Sequence, residues 1–264
     1  MQSPLEAARS RDYLLRLAHS EAGRFKAIGT AQLELSRGQV VVDVGCGPGA
    51  DLRAYAGAVG PTGTVIGIDH DDELIGHARA ETADLANVSI ELADAHGLPV
   101  ESGSVDRVHI DRMLQHVTAP ATVLDEAARV LRGGGRVVCV EPDWATLIID
   151  HPDVAASCAY TSYNVERTAR NATIGRALPR LLRDAGLTVE SIIPATVVFT
   201  DATAAEQVLT MRAVTEGAVA AGYLSGDQGR SWLHRLDAEP FFGSITVFVV
   251  TATAVVVEPG SACR

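Results

Sequence analysis

Five short runs fix the class of fold before any single residue does. Residues 39–45 (QVVVDVG), 64–69 (TVIGID), 88–94 (VSIELAD), 105–111 (VDRVHID) and 136–142 (RVVCVEP) are β-branched and nearly continuous in apolar side chains. That is the pattern of strands buried on both faces. Helical patterns separate most of them. After the fourth run, Leu124, Ala127, Ala128 and Leu131 line one helical face, and the glycines of RGGGR stop that helix at Gly133. Strand, helix, strand at this spacing means βαβ units joined into a parallel sheet.

The flanks read differently. Residues 4–36 form two helical patterns, the first striped by Leu5, Tyr13, Leu14, Leu17 and Ala18, the second by Phe25, Ile28, Ala31 and Leu35. Past residue 142 the rhythm breaks: 151–172 is mixed polar and aromatic. A helix is predicted over 175–185, ending at Gly186, and a long strand over 187–200, interrupted by Pro194. Two helices follow, the second opened by the capping box Ser225-x-x-Gln228. A last strand covers 244–257, and residues 259–264 read as a disordered tail.

Composition narrows the classes of partner. A chain of 264 residues that is 47% apolar buries an ample core, and at 5% aromatic it must pack with aliphatics and alanine. A formal charge of −11 argues against nucleic acid or an anionic membrane, which need concentrated Lys and Arg. Cys46, Cys139, Cys158 and Cys263 form no C-x-x-C pair, so free thiols in a reducing cytosol are expected. No leader pattern opens the chain, and no run approaches the ~18 apolar residues of a membrane span. The expectation is a soluble, cytoplasmic protein, monomeric or homodimeric.

The loop after the first strand, VVDVGCGPGAD over residues 41–51, carries Gly45, Gly47 and Gly49. Glycines so placed let the backbone approach a ligand closely. A dinucleotide loop spaces them G-x-G-x-x-G, whereas here they read G-x-G-x-G, with Ala50 where the third glycine of that fingerprint falls. Asp69 at the end of the second strand suits the two hydroxyls of an adenosine ribose under either reading, or else caps the helix that follows. Asp43 is less neutral. A carboxylate inside the first strand sits badly beside a pyrophosphate, but well beside a ligand carrying an ammonium and a sulfonium.

These residues resemble the class I S-adenosylmethionine-dependent methyltransferases. VVDVGCGPG is similar to their first motif and VIGIDHD to the acidic strand end after it. LADAHGLPVESGSVDRVHI resembles the adenine-binding segment with the fourth strand, and LDEAARVLRGGGRVVCVEPDW the helix, turn and fifth strand. The ordered set runs from about residue 39 to 145. LQHV and EPDW bring it closest to the small-molecule branch, which includes quinone and natural-product enzymes. The resemblance implies an α/β, Rossmann-like fold: seven mainly parallel strands, the last antiparallel, with helices on both faces, N-terminal helices and a small helical lid. Residues 1–38 would form the N-terminal cap, 39–258 the donor-binding domain with a lid insertion about 146–175, and 259–264 the tail.

It also implies roles. Gly45, Gly47 and Gly49 pass the methionine part of the donor, with Asp43 beside it. Asp69 takes the ribose, His70 packs against adenine, and Asp94 with Ala95 reads the adenine edge. Asp111 stands where a backbone carbonyl meets the donor's ammonium, and Tyr13 closes over the cofactor. His116 is the candidate base and Asp143 its partner or the holder of a substrate amine. Trp144, Tyr160, Tyr163, Asn164 and Arg167 are candidate acceptor contacts, and Glu141 is expected to pair with Arg176. The eight histidines give no helical H-x-x-x-H, and no cysteine or carboxylate set suggests a metal, so none is expected. The reading is methyl transfer from S-adenosylmethionine, leaving S-adenosylhomocysteine, to oxygen or nitrogen, less often carbon, of a small acceptor such as a secondary metabolite. Its rivals are a non-methylating reaction on the same scaffold, such as a cyclisation, and a non-catalytic donor-binding module.

Overall fold

The β-branched runs all become strands. In the computed structural model, which describes residues 23–236 and 240–256, the chain enters through α1 (Gly23–Gln32), the second of the two expected N-terminal helices. The first of them, Tyr13 and the tail at 259–264 lie outside the described residues. Then follow β1 (Val40–Val44), α2 (Leu52–Val59), β2 (Thr64–Asp69), α3 (Asp72–Glu81), β3 (Val88–Leu92), β4 (Val105–Asp111), α4 (Pro120–Val130) and β5 (Leu131–Ile149). The remainder is α5 (Val154–Tyr163) with a π-helical turn at Asn164–Thr168, α6 (Ile174–Asp184), β6 (Leu187–Phe199), α7 (Ala202–Leu209), α8 (Met211–Ala220), α9 (Gly226–Leu236) and β7 (Gly243–Ala254).

Seven strands form one sheet in the order β3-β2-β1-β4-β5-β7-β6. The pairs among the first five are parallel, and β7 runs antiparallel to both β5 and β6. One face is covered by α2 and α3, whose Leu52, Tyr55, Ile75 and Ala78 are buried, and by Phe25 of α1. On the other face Val123, Leu124, Ala127 and Val130 of α4 join Leu178 and Leu182 of α6. The strand order reverses between β1 and β4, which opens a crevice at their carboxyl ends.

Three departures from the sequence reading matter for the site. Strand β5 continues beyond residue 142 because β7 stays alongside it, pairing Ile148 with Ser244 and Ile149 with Gly243 past an irregularity after Asp143. The start of the expected lid insertion is therefore sheet. Three helices, not two, lie between β6 and β7, because the chain turns at Thr210 with φ +47°. The capping box itself closes reciprocally: Gln228 N–H donates to Ser225 Oγ at 3.2 Å and Ser225 N–H to Gln228 Oε1 at 3.0 Å. Helix α1 is laid across β5, β6 and β7. Gln32 Oε1 accepts from Ser191 Oγ and Thr251 Oγ1, and Arg107 Nε donates to Leu33 O at 2.6 Å. This anchorage sets Phe25 and Lys26 at the mouth of the crevice. No helix among the described residues is long and apolar enough to cross a membrane.

Candidate active site

A cavity of about 510 Å³ fills the crevice. Its floor is the glycine loop. Gly45, Gly47 and Gly49 have φ of +78°, +53° and +83°, a region costly for any side chain. A Cβ on Gly45 would stand 2.7 Å from Met113 Cγ. The loop is pinned to the end of β2, with Gly45 N–H and Cys46 N–H both donating to Ile68 O at 2.7 and 3.0 Å. Cys46 lines the cavity as a thiol that burial pushes well above its ordinary pKa.

Asp69 closes that end. Its Oδ2 accepts from Gly47 N–H at 2.9 Å and its Oδ1 from Asp71 N–H at 3.0 Å. The cap of α3 is Asp71, which accepts from Glu73 and Leu74 N–H. Asp69 is thus left facing the cavity, with His70 Nδ1 3.3 Å from it on an exposed ring. Across the opening, Asp94 and Ala95 also line the cavity. Asp94 Oδ1 accepts from His96 N–H at 2.9 Å and lies 2.6 Å from His96 Nδ1. The backbone and side-chain bonds from His96 hold the Asp94 carboxyl below the usual range. Ala119 N–H donates to His96 Nε2 at 3.3 Å, which places the ring proton on Nδ1, toward Asp94. His96 therefore ties the loop after β3 to the start of α4, a role that sequence reasoning missed.

Asp43 and His109 are opposite residues on β1 and β4, and both are buried. His109 Nδ1 stands 3.3 Å from Asp43 Oδ1 and 3.0 Å from Tyr55 Oη. Burial pushes the Asp43 carboxyl up, against the bond from His109. For His109, burial pulls down, but the bond and charge of Asp43, with Asp111 and Asp51 behind it, carry its pKa upward. Asp111 is half-buried, and desolvation alone would raise it; the doubly bonded Arg112 outweighs this and leaves it lowered. Arg112 takes φ +53° and stacks 5.1 Å over the Phe25 ring. From α1, Lys26 Nζ reaches Asp51 Oδ2 at 2.6 Å and Asp111 Oδ2 at 3.8 Å. Lys26 is the only lysine among the 22 Lys and Arg of the chain, a signal available in the sequence and not used.

The other half of the cavity is apolar. Val197 and Phe199 of β6, Val208 and Leu209 of α7, and Ile245 and Val247 of β7 wall it, with Met113, Pro142 and Trp144. His116 lines it from the turn after β4, its N–H bonded to Met113 O at 3.0 Å. Trp144 Nε1–H donates to Gln115 Oε1 at 2.9 Å, fixing the indole against that turn. Beneath it, buried Glu141 accepts from Leu114 N–H at 2.5 Å, and burial lifts its pKa to about 8.

Several expected contacts stand elsewhere. Asp143 is fully buried and bonded by both Nε and Nη2 of Arg176, with Ala145 N–H on Oδ1. The structure thus corrects its assignment: it is outside the cavity, and it rather than Glu141 holds Arg176. Tyr160 is buried in a stack on Trp232, ring centroids 5.0 Å apart, and Asn164 Nδ2 donates to Tyr160 O. Tyr163 packs edge-on to Tyr223, and Arg167 reaches Tyr223 Oη at 3.5 Å. None of these four lines the cavity; their neighbour Arg170 does.

Residues 35–186 match a family model described as a methyltransferase domain. Over 243 residues the chain is 49% identical to an uncharacterized 37.1 kDa protein of transposon TN4556 in Streptomyces fradiae, covering 92% of this chain and 70% of that one. It is 40% identical over 111 residues to demethylmenaquinone methyltransferase of Staphylococcus aureus, covering 42% of the chain and 46% of that enzyme, less than half of either. A candidate methyltransferase from Bacillus halodurans C-125 superposes with a TM-score of 0.62 at 17% identity, over 87% of this chain and 98% of that one, a likeness of fold.

Proposed function

The chain belongs to the methyltransferase-domain family, the class I S-adenosylmethionine-dependent enzymes, and from that premise we propose that it methylates an oxygen or nitrogen, less readily a carbon, of a small apolar acceptor. The observation that carries this reading is the continuity of one cavity, charged at the strand ends and apolar under β6, α7 and β7. In-line transfer needs donor and acceptor aligned in one chamber, and alignment is the larger part of the catalysis.

The residues present suit the donor. A zwitterionic methionine end with a sulfonium calls for charges of both signs, and Asp43, Asp51 and Asp111 line the same pocket as Lys26 and Arg112. The backbone at Gly45 has no room for a Cβ. When bound, S-adenosylmethionine supplies an activated methyl group. Asp69 accepts from the ribose hydroxyls, each oxygen keeping a lone pair beyond its amide bond. Asp94 and Ala95 meet the adenine edge, and Lys26 faces the methionine carboxylate. His116 takes the acceptor's proton and Trp144 packs on its ring. The acidic composition and the free thiols of Cys46, Cys139 and Cys158 support a cytoplasmic setting.

Calorimetry with S-adenosylhomocysteine and a nicotinamide dinucleotide tests donor use: binding of the second and not the first sinks the reading. Incubation with methyl-labelled donor and a panel of phenols and amines tests transfer. A cyclisation or a binding-only role would leave every label on the donor.

A further inference from the structure

A third cation lines the cavity, next to the turn that bears His116. Arg170 stands on the turn between the π-helical turn and α6, exposed and lining the cavity. The other Lys and Arg among the described residues that line it are held by carboxylates, Lys26 by Asp51 and Arg112 by Asp111. Among the described residues the Arg170 side chain has no hydrogen bond and no ion pair. Among the described residues, the acids lining the cavity are Asp43, Asp51, Asp69, Asp71, Asp94 and Asp111, all in or just after β1 to β4.

The backbone that bears Arg170 is fixed to the turn that bears His116. Asn171 N–H donates to Gln115 O at 3.0 Å, and its Nδ2 donates to both Leu114 O and Val117 O at 2.8 Å. Trp144 N–H donates to Ala172 O at 2.9 Å. The backbone carrying the cation, the indole and the imidazole is therefore set by one network. We propose that Arg170 is an anion subsite for the acceptor, so that the substrate is an apolar molecule bearing an oxyanion in addition to the atom that reacts at His116. A planar guanidinium pairs with carboxylate, sulfonate or phosphate through parallel N–H bonds. Held by that group and along its body by the apolar walls, an acceptor has one orientation toward the donor. The word acceptor rests on the methyl-transfer reading; the anion subsite does not.

The test uses two fluorescent probes of nearly the same apolar body: 1-anilinonaphthalene-8-sulfonate, which carries an anion, and neutral N-phenyl-1-naphthylamine. Each is titrated into the full chain and into Arg170→Met, Arg170→Lys and Val208→Trp, with S-adenosylhomocysteine present. Arg170→Met should weaken the sulfonate probe roughly tenfold, the scale of one exposed charge-assisted hydrogen bond, and leave the neutral probe within about twofold. Arg170→Lys should recover part of the loss. Val208→Trp, which fills the apolar half, should weaken both probes. The proposal is overturned if Arg170→Met moves both probes alike or neither, or if Val208→Trp leaves both untouched. Failure of S-adenosylhomocysteine to bind the unaltered chain would instead sink the methyl-transfer reading, while the probe ratio still reports on Arg170.

Discussion

The donor half of the cavity is assembled from short stretches that each end a strand: the glycine loop after β1, Asp69 at the end of β2, Asp94 just after β3, Asp111 at the end of β4. Each stretch is local, and a parallel sheet brings all of them to one edge whatever the side chains elsewhere do. The acceptor half has no such origin. Most of its walls come from β6, α7 and β7, more than fifty residues from the last donor-half residue, and they meet Met113, Pro142 and Trp144 only because β7 turns back between β5 and β6. One half is a property of the sheet's topology and is polar; the other is a property of tertiary packing and is apolar. Substitutions should therefore separate cleanly, one set acting on donor affinity and the other on turnover.

The largest effect belongs to the acceptor half. His116→Ala should lower turnover by roughly 10²–10⁴ if the imidazole is the base, with S-adenosylhomocysteine affinity unchanged by calorimetry. Near-normal turnover at neutral pH would reduce His116 to a wall residue. The donor-half counterpart is Asp69→Ala. It removes the acceptor of two loop amides as well as the ribose contact, and should weaken S-adenosylhomocysteine about a hundredfold, the sum of two charge-assisted bonds. If this variant changed turnover at saturating donor while leaving affinity intact, the division into halves would be wrong.

Lys26 probes the seam, since α1 brings it to the donor half from outside the strand-end pattern. Lys26→Met leaves Asp51 without its cation and Asp111 with Arg112 alone, and donor binding should weaken about tenfold. Because it is the chain's only lysine, an amine-reactive label offers a second reading. Peptide mapping should find Lys26 modified more slowly when S-adenosylhomocysteine is present. Equal labelling with and without ligand would place the methionine carboxylate elsewhere.

The same contrast decides what could be read from residues alone. The strands were legible because continuous β-branched runs have one buried solution, and the strand-end acids followed from them. Partners across the fold were not. Glu141 and Asp143 are two apart on β5 and so share a face; nothing in the strand tells which of them meets Arg176, and the placement of α6 against β5 selects Asp143. Helix α5 carries its apolar residues all round, so Tyr160 and Tyr163 gave no hint that they turn toward Trp232 and Tyr223 rather than the cavity. The break at Thr210 lacks a glycine or proline, and α7 and α8 read as one helix.

The smallest effect on the site's own chemistry lies under the seam, at Glu141, and is read in stability. Its carboxyl supports the His116 turn through Leu114 N–H, yet burial first, and then the charge of Asp111, raise its pKa from 4.5 to about 8. In the unfolded chain it ionises near 4.5, so between there and about pH 8 the unfolded state has released a proton that the folded state keeps. Stability then falls as pH rises through that window, and the fall ends once the folded carboxyl also ionises. Glu141→Gln retains an oxygen for Leu114 N–H and has nothing to ionise. Urea unfolding at pH 5, 6.5 and 8 should give the variant a flatter profile than the unaltered chain, with the gap between them widening toward pH 8. Parallel profiles would mean that Glu141 is ionised in the folded protein, with a cation or water reaching it. The turn carrying His116 would then rest on a charge rather than on a neutral acid.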